Sequence, residues 1–158
     1  MHDQTHIAEL NVAYRKYELD DPRFAGFVNN LDRINALAER SPGFVWRLKD
    51  DTVGNATEIP VGDDPTLIPN LSVWKSVEDL ERFTFGTVHA QIYKQRENWF
   101  TPMQERHFVM WRVPAGHRPT LPEALSRLEQ INAEGPSDDV FGWEAMTNLK
   151  LWMEKSCA

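Results

Sequence analysis

The chain has 158 residues, 41% hydrophobic and 26% charged, proportions that suit one ordinary globular domain. Its net charge of −7, from 24 acidic against 17 basic residues, argues against a nucleic-acid partner, because no run of Lys and Arg is free of interleaved acids. No apolar run approaches the roughly 18 residues of a membrane span, the polar start Met1 to Thr5 lacks the regions of a signal peptide, and the single cysteine, Cys157, fits a reducing, cytoplasmic setting.

His6 to Arg15 alternates, with Ala8, Leu10, Val12 and Tyr14 on one face and Ile7, Glu9, Asn11 and Ala13 on the other, which predicts the first strand. Asp20-Asp21-Pro22 opens a helix, carried by Phe24, Phe27, Val28, Leu31, Ile34, Leu37 and Ala38 at helical spacing and closed by Pro42-Gly43. Phe44 to Leu48 reads as the second strand. Lys49 to Pro69 is long, polar and rich in turn residues, the pattern of a functional lid, with room for a short strand at Thr57 to Val61. Asn70 to Lys75 is the third strand. Ser76 caps a second helix, with Asp79 three residues on, expected to run to about Phe100 with a weak point at Gly86. Arg106 to Val113 is the fourth strand, and Pro114 to Pro119 a loop carrying His117. Thr120 and Glu123 start a third helix that carries Leu121, Ala124, Leu125, Leu128 and Ile131 inward and stops at Gly135-Pro136. The tail holds Phe141, Trp143, Leu149, Leu151 and Trp152, too apolar for a free end.

The order strand, helix, strand, strand, helix, strand, with an added C-terminal helix, predicts an α+β fold of the ferredoxin-like split βαβ kind with a four-stranded antiparallel sheet. One domain is expected over 1–158, with a core over 6–135 and an extension over 136–158 docked on the core or a partner. Both faces of the strands are apolar, Phe108 and Met110 against Val109, Trp111 and Val113, so a second copy of the sheet is the simplest cover and a homodimer is expected.

His89 shares a helical stripe with Phe85, Ile92, Arg96 and Trp99, and Tyr93 lies beside them. Its imidazole suits a general base, a hydrogen-bonding group for substrate, or an iron ligand; equally it suits a half-buried histidine bonded to a carbonyl. Asn11 and Ser72 are small polar residues in apolar strands, placed either to hydrogen-bond a ligand or to serve neighbouring backbone. Trp46, Trp74, Trp99 and Trp111 fit the walls of an aromatic cavity as well as they fit core packing. Arg47 and Arg96 suit a carboxylate or a salt bridge, and His117 reads as part of a structural loop. There is no phosphate-binding glycine loop, Cys pair, His-Glu-x-x-His or serine elbow, and His6, His89, His107 and His117 show no ligand spacing, so no metal or nucleotide site is expected.

Leu10-Asn11-Val12-Ala13, Ser41-Pro42-Gly43-Phe44-Val45-Trp46-Arg47-Leu48, Asn70-Leu71-Ser72-Val73-Trp74, His89, Trp99-Phe100 and Pro114-Ala115-Gly116-His117-Arg118-Pro119-Thr120 together resemble a bacterial domain-of-unknown-function family. That family lies within the dimeric α+β barrel superfamily, as do the antibiotic biosynthesis monooxygenases. The resemblance implies a cytoplasmic homodimer acting on an organic, aromatic or polyketide-like substrate of secondary metabolism. It implies a cofactor-independent monooxygenase or an isomerase/cyclase-like enzyme, with no cofactor or metal. His89 and Asn11 are then the catalytic candidates, and Trp46, Ser72, Trp74, Phe85, Tyr93, Arg96, Trp99 and Trp111 the substrate-binding ones. A haem-dependent enzyme with His89 on the iron, and a non-catalytic binding or interaction protein, are the alternatives.

Overall fold

The computed structural model describes residues 4–49, 57, 59–61, 63–87 and 89–145. β1 (Thr5–Arg15) is the central strand. It pairs antiparallel with β3 (Leu67–Trp74) on one side, and on the other with both β5 (Phe108–Pro114) and the two-residue β4 (Phe100–Thr101); β2 (Phe44–Arg47) lies on the outer edge of β3. The strand order and the helices between the strands make this the expected ferredoxin-like α+β fold, with β4 as an additional short strand. Pro69 can sit inside β3 because β2 pairs only with Ser72 to Trp74, so the missing amide hydrogen costs no ladder bond there.

The period-two alternation of β1 divides the core. Ala8, Leu10 and Val12 join Leu71, Val73, Val109, Trp111 and Val113 on one face, all nearly inaccessible, and α4 (Leu121–Glu134) covers them with Ala124, Leu128 and Ile131. This face was expected to need a second sheet. The helix of the same chain hides it, so burial alone no longer calls for a partner there. On the opposite face, α1 (Ala25–Arg40) and α2 (Val77–Gly86) pack Ile34, Ala38, Leu80 and Phe83 against Ile7, Trp74 and Met110.

Local chemistry sets the helix ends. Asp21 accepts from the Arg23 amide and opens a 3-10 turn, Pro22–Phe24, that leads into α1. Ser76 accepts from the Asp79 amide and Thr120 from the Glu123 amide, as their spacing predicted. Gly43 has φ +85°, and a Cβ there would fall 2.1 Å from the Asp79 carboxylate, so the turn into β2 requires glycine. The second helix does not reach Phe100. It ends at Gly86, where the Thr87 hydroxyl donates back to the Phe83 carbonyl and accepts from the His89 amide, starting a separate α3 (His89–Lys94).

Of the lid expected over Lys49 to Pro69, residues 50–56, 58 and 62 lie outside the described residues, and Leu67 to Pro69 already belong to β3, which starts three residues before the expected Asn70. The short strand expected at Thr57 to Val61 is not formed by its described residues: Thr57, Ile59 and Pro60 are irregular, and Val61 makes one isolated bridge with Asp64. Beyond α4 the chain turns back along β5: Met110 and Phe141 exchange two backbone hydrogen bonds of 2.8 and 3.0 Å, with Val140 and Phe141 buried. Leu149, Leu151 and Trp152 lie outside the described residues. No helix among the described residues is long and apolar enough to cross a membrane.

Candidate functional site

Between the sheet and the α1–α2 layer lies a cavity of about 530 Å³, within the range of small-molecule sites. Its floor is the Ile7 face of the sheet. Ile7 pairs with Trp74, Glu9 with Ser72, and Asn11 with Asn70 and Phe108, so Glu9, Asn11, Asn70, Ser72, Trp74 and Phe108 all point the same way. The helices supply Ile34, Ala38, Leu80, Phe83 and Phe85. The loop between β4 and β5 supplies Met103 to His107, and the C-terminal segment supplies Gly142, Trp143 and Glu144.

Glu9 is the unusual group. It is 5% exposed, and among the described residues its one hydrogen bond comes from Ser72 Oγ, which donates to Glu9 Oε1 at 2.7 Å. Ser72 in turn accepts from Trp74 Nε1 at 2.9 Å. Burial raises the Glu9 carboxyl from 4.5 to about 8, and the Ser72 bond pulls it only partway back. At neutral pH this carboxyl is mostly protonated.

His89 is partly buried at the helix side of the cavity. Its Nδ1 donates to the Thr84 carbonyl at 3.0 Å and its ring lies 5.0 Å from Phe83, so desolvation lowers its pKa and the neutral ring carries its lone pair on Nε2. His107 donates from Nδ1 to Asn11 Oδ1 at 3.0 Å; burial, and then the charge of Arg96, lower its pKa too. The wall is aromatic. Trp74 stacks on Phe83 at 5.2 Å and meets Phe44 edge-on at 5.4 Å, while Trp143 stacks on Phe108 at 5.4 Å and touches Phe85 at 5.3 Å. The two arginines of the lining are ion-paired, Arg47 with Glu39 and Arg106 with Glu144.

Of the residues singled out from the sequence, Asn11, Ser72, Trp74, Phe85 and His89 meet at this cavity, and Arg47 with them. Trp46, Trp99, Trp111 and Arg96 do not line it. Trp111 pairs with Ala8 and Trp46 with Val73, which turns both to the α4 side of the sheet. Trp99 packs with Phe24, Phe27 and Ile68 in a separate cluster, and Arg96, outside the lining, acts on the site through its charge on His107. The Tyr93 side chain lies outside the described residues. His117 is exposed and paired with Glu123, as a loop residue would be.

Glu9 and His107 were not singled out. A carboxylate between Ile7 and Asn11 in the middle of a central strand is itself a signal once both sheet faces are known to be covered, since a buried acid without a basic partner is seldom structural. His107 had no sequence signal beyond its place at the start of the fourth strand.

The protein-family model described as Domain of unknown function (DUF3291) matches residues 6–157. No curated protein matches the chain. Solved structures with related topology include SnoaB, a cofactor-independent oxygenase from Streptomyces nogalater, 18% identical with 77% of this chain and 100% of that one covered at a TM-score of 0.46. PA3566 from Pseudomonas aeruginosa is 12% identical, covering 74% and 100% at 0.47, and a NIPSNAP-like domain protein from Burkholderia xenovorans is 15% identical, covering 77% and 95% at 0.37. With identities and scores this low, the fold is assigned from the strand order of the chain itself.

Proposed function

The chain belongs to the DUF3291 family, and from that premise and the geometry of its cavity we propose that it is a small-molecule enzyme that moves protons on a flat, largely apolar organic substrate. The observation that carries this reading is Glu9, a carboxyl buried in the cavity wall, with Ser72 as its one hydrogen-bond partner among the described residues and a pKa raised to about 8. Such a group exchanges a proton near physiological pH, as a general acid–base catalyst must.

Ser72 and Trp74 orient Glu9, and neutral His89 is the second proton carrier on the helix side of the cavity. Phe44, Trp74, Phe83 and Phe85 form the apolar wall against which a ring would lie. Taking a proton from one carbon and returning it to another is isomerase or cyclase chemistry and consumes nothing. The same deprotonation, followed by attack of the carbanion on dioxygen, opens a cofactor-independent oxygenation.

The test is to incubate the protein with a panel of polycyclic organic compounds in deuterated water and follow deuterium entry by mass spectrometry. Wild type should label at least one bound compound, and Glu9→Gln should bind it without labelling. Binding with no exchange in any compound would make the protein a binding module instead.

A further inference from the structure

The polar groups of the cavity are ordered along β1. The alternating floor runs from Ile7 beside Trp74, through Glu9, to Asn11 beside Asn70 and Phe108, with steps of about 7 Å between successive backbone positions; the Trp74 indole leans one step inward, its Nε1 on Ser72 Oγ opposite Glu9, which leaves a single step to Asn11. Both ends of the cavity are therefore aromatic, Trp74 with Phe83 at one and Phe108 with Trp143 at the other; the middle holds the acid, and the far end adds the Asn11 amide. Asn11 Oδ1 is occupied by the Nδ1–H of His107. The Asn11 amide nitrogen is left as the donor on that side, fixed in direction because His107 has its own backbone carbonyl bonded to the Val12 amide.

The two arginines of the lining are each ion-paired, Arg47 with Glu39 and Arg106 with Glu144, and the remaining charged lining residue, the exposed Glu105, is an acid, so the lining offers an anionic ligand no uncompensated cation. A substrate carrying a full charge would have to be desolvated against neutral groups, which costs far more than a carbonyl would.

We infer that the ligand of this cavity is an uncharged, enolisable carbonyl compound with a flat apolar body, its ring on Trp74 and Phe83 and its oxygen on the Asn11 amide. The carbon between ring and carbonyl then lies over Glu9. In the step this permits, the C–H bond breaks and its proton passes to the Glu9 carboxylate. The C–H pair forms the C=C bond, and the carbonyl π pair moves to the oxygen held by Asn11. Reversal returns a proton to carbon, and no co-reactant is needed. The step rests on the proton-transfer reading above; the choice of ligand rests on the placement of Asn11 and the charge balance.

Three probes separate the two: β-tetralone, naphthalene and 2-naphthoate, with binding followed by quenching of the cavity tryptophans. β-Tetralone should bind about tenfold more tightly than either of the others, the value of one well-made hydrogen bond. Asn11→Asp keeps an acceptor for His107 but removes the donor, so it should lose that tenfold for β-tetralone and keep naphthalene unchanged. Asn11→Leu should do the same, and a thermal melt checks that both variants are folded. β-Tetralone binding no tighter than naphthalene, weaker than 2-naphthoate, or unchanged in both variants would overturn the inference. Deuterium entry at C1 of bound β-tetralone reads the other question: Asn11-dependent binding without exchange would sink proton transfer by Glu9 and leave the ligand class standing.

Discussion

Ser72 and Glu9 face each other across β3 and β1, and the Ser72 hydroxyl donates a 2.7 Å hydrogen bond to Glu9 Oε1. The direction of that bond is set by a third residue. Trp74 Nε1 can only donate, and it already points at Ser72 Oγ, so the hydroxyl proton is directed to Glu9. Oε1 is thus an acceptor in both protonation states, and the titrating proton belongs to Oε2. One bond favours the ionised form and complete burial opposes it, and burial wins by a wide margin.

This has a consequence for stability. The Glu9 carboxyl titrates at about 8 in the folded chain against 4.5 for the ordinary group. Between those values the folded state holds a proton that the unfolded state has released, so stability is highest at the acid end and falls as pH rises, levelling off above 8. The slope is at most about 1.4 kcal/mol per pH unit. The partly buried His89 and His107 work in the opposite sense, around and below 6.5, because their lowered pKa values cost stability as pH falls. Their contribution still matches that of Glu9 at 6.5 and fades above it, so Glu9 dominates from about pH 7 to 8. There Glu9→Gln should flatten the slope and be more stable than wild type at the alkaline end. Chemical denaturation of both proteins across the window checks this, and parallel slopes would refute a protonated, buried Glu9.

Ser72→Ala should move the Glu9 midpoint further up, because the bond it removes favours the carboxylate. It should also destabilise the fold by about 1–3 kcal/mol, since the Trp74 indole N–H loses its partner inside the core. The carboxyl resonance of Glu9 in a pH titration gives the first quantity and a denaturant midpoint the second. If deprotonation by Glu9 drives exchange, the rate should rise to a plateau above pH 8 in wild type and at higher pH in the variant.

The sequence carried the fold because its signals are local and periodic: the alternation in His6 to Arg15, the caps at Ser76 and Thr120, and Gly43 before the second strand each resolve within a few residues. The helix expected to reach Phe100 failed for an equally local reason, since Thr87 satisfies the backbone on both sides of a break. The site was legible on one side only. Asn11, Ser72, Trp74 and His89 stood out as polar or aromatic exceptions in apolar elements. Trp46 and Trp111 were assigned without their strand parity, which sends them to the α4 side. Glu9 escaped because a charged residue in an alternating strand normally faces water, and only the positions of α1 and α2 show that this one does not. The apolarity of the Ala8 face, read from the sequence as a surface for a second copy, is met within the chain by α4.

His89→Ala tests whether a residue can be both packing and site. Its ring touches Phe83 and its Nδ1–H satisfies the Thr84 carbonyl, so truncation leaves a void and a stranded acceptor at a cost of about 2–4 kcal/mol. In a chain of this length that lowers the melting temperature by roughly 5–15 °C. His89→Gln, which retains a donor, should recover part of the stability. If His89 also carries protons, that variant should remain impaired in deuterium exchange at a temperature where it is folded; full exchange in folded His89→Gln would confine the residue to packing.

Trp143→Ala probes what keeps Glu9 dry. The segment that carries this tryptophan is anchored two residues earlier, by the paired backbone bonds of Met110 and Phe141 and by the burial of Val140 and Phe141, so it should stay docked without the indole. The ring itself stacks on Phe108 at 5.4 Å and meets Phe85 at 5.3 Å, closing one wall of the cavity. Losing it should cost about 2–3 kcal/mol, less than a fully buried aromatic because the residue is only partly buried. The more telling effect is on Glu9. Desolvation is the largest cause of its raised pKa, so water admitted through the missing wall should bring the carboxyl down towards its ordinary value. The fall in stability between about pH 7 and 8 should then shrink in Trp143→Ala, while Glu9→Gln/Trp143→Ala should follow the same pH course as Glu9→Gln alone. An undiminished pH slope in Trp143→Ala would mean that Glu9 is shielded by the α1 and α2 side of the cavity and owes nothing to the C-terminal segment.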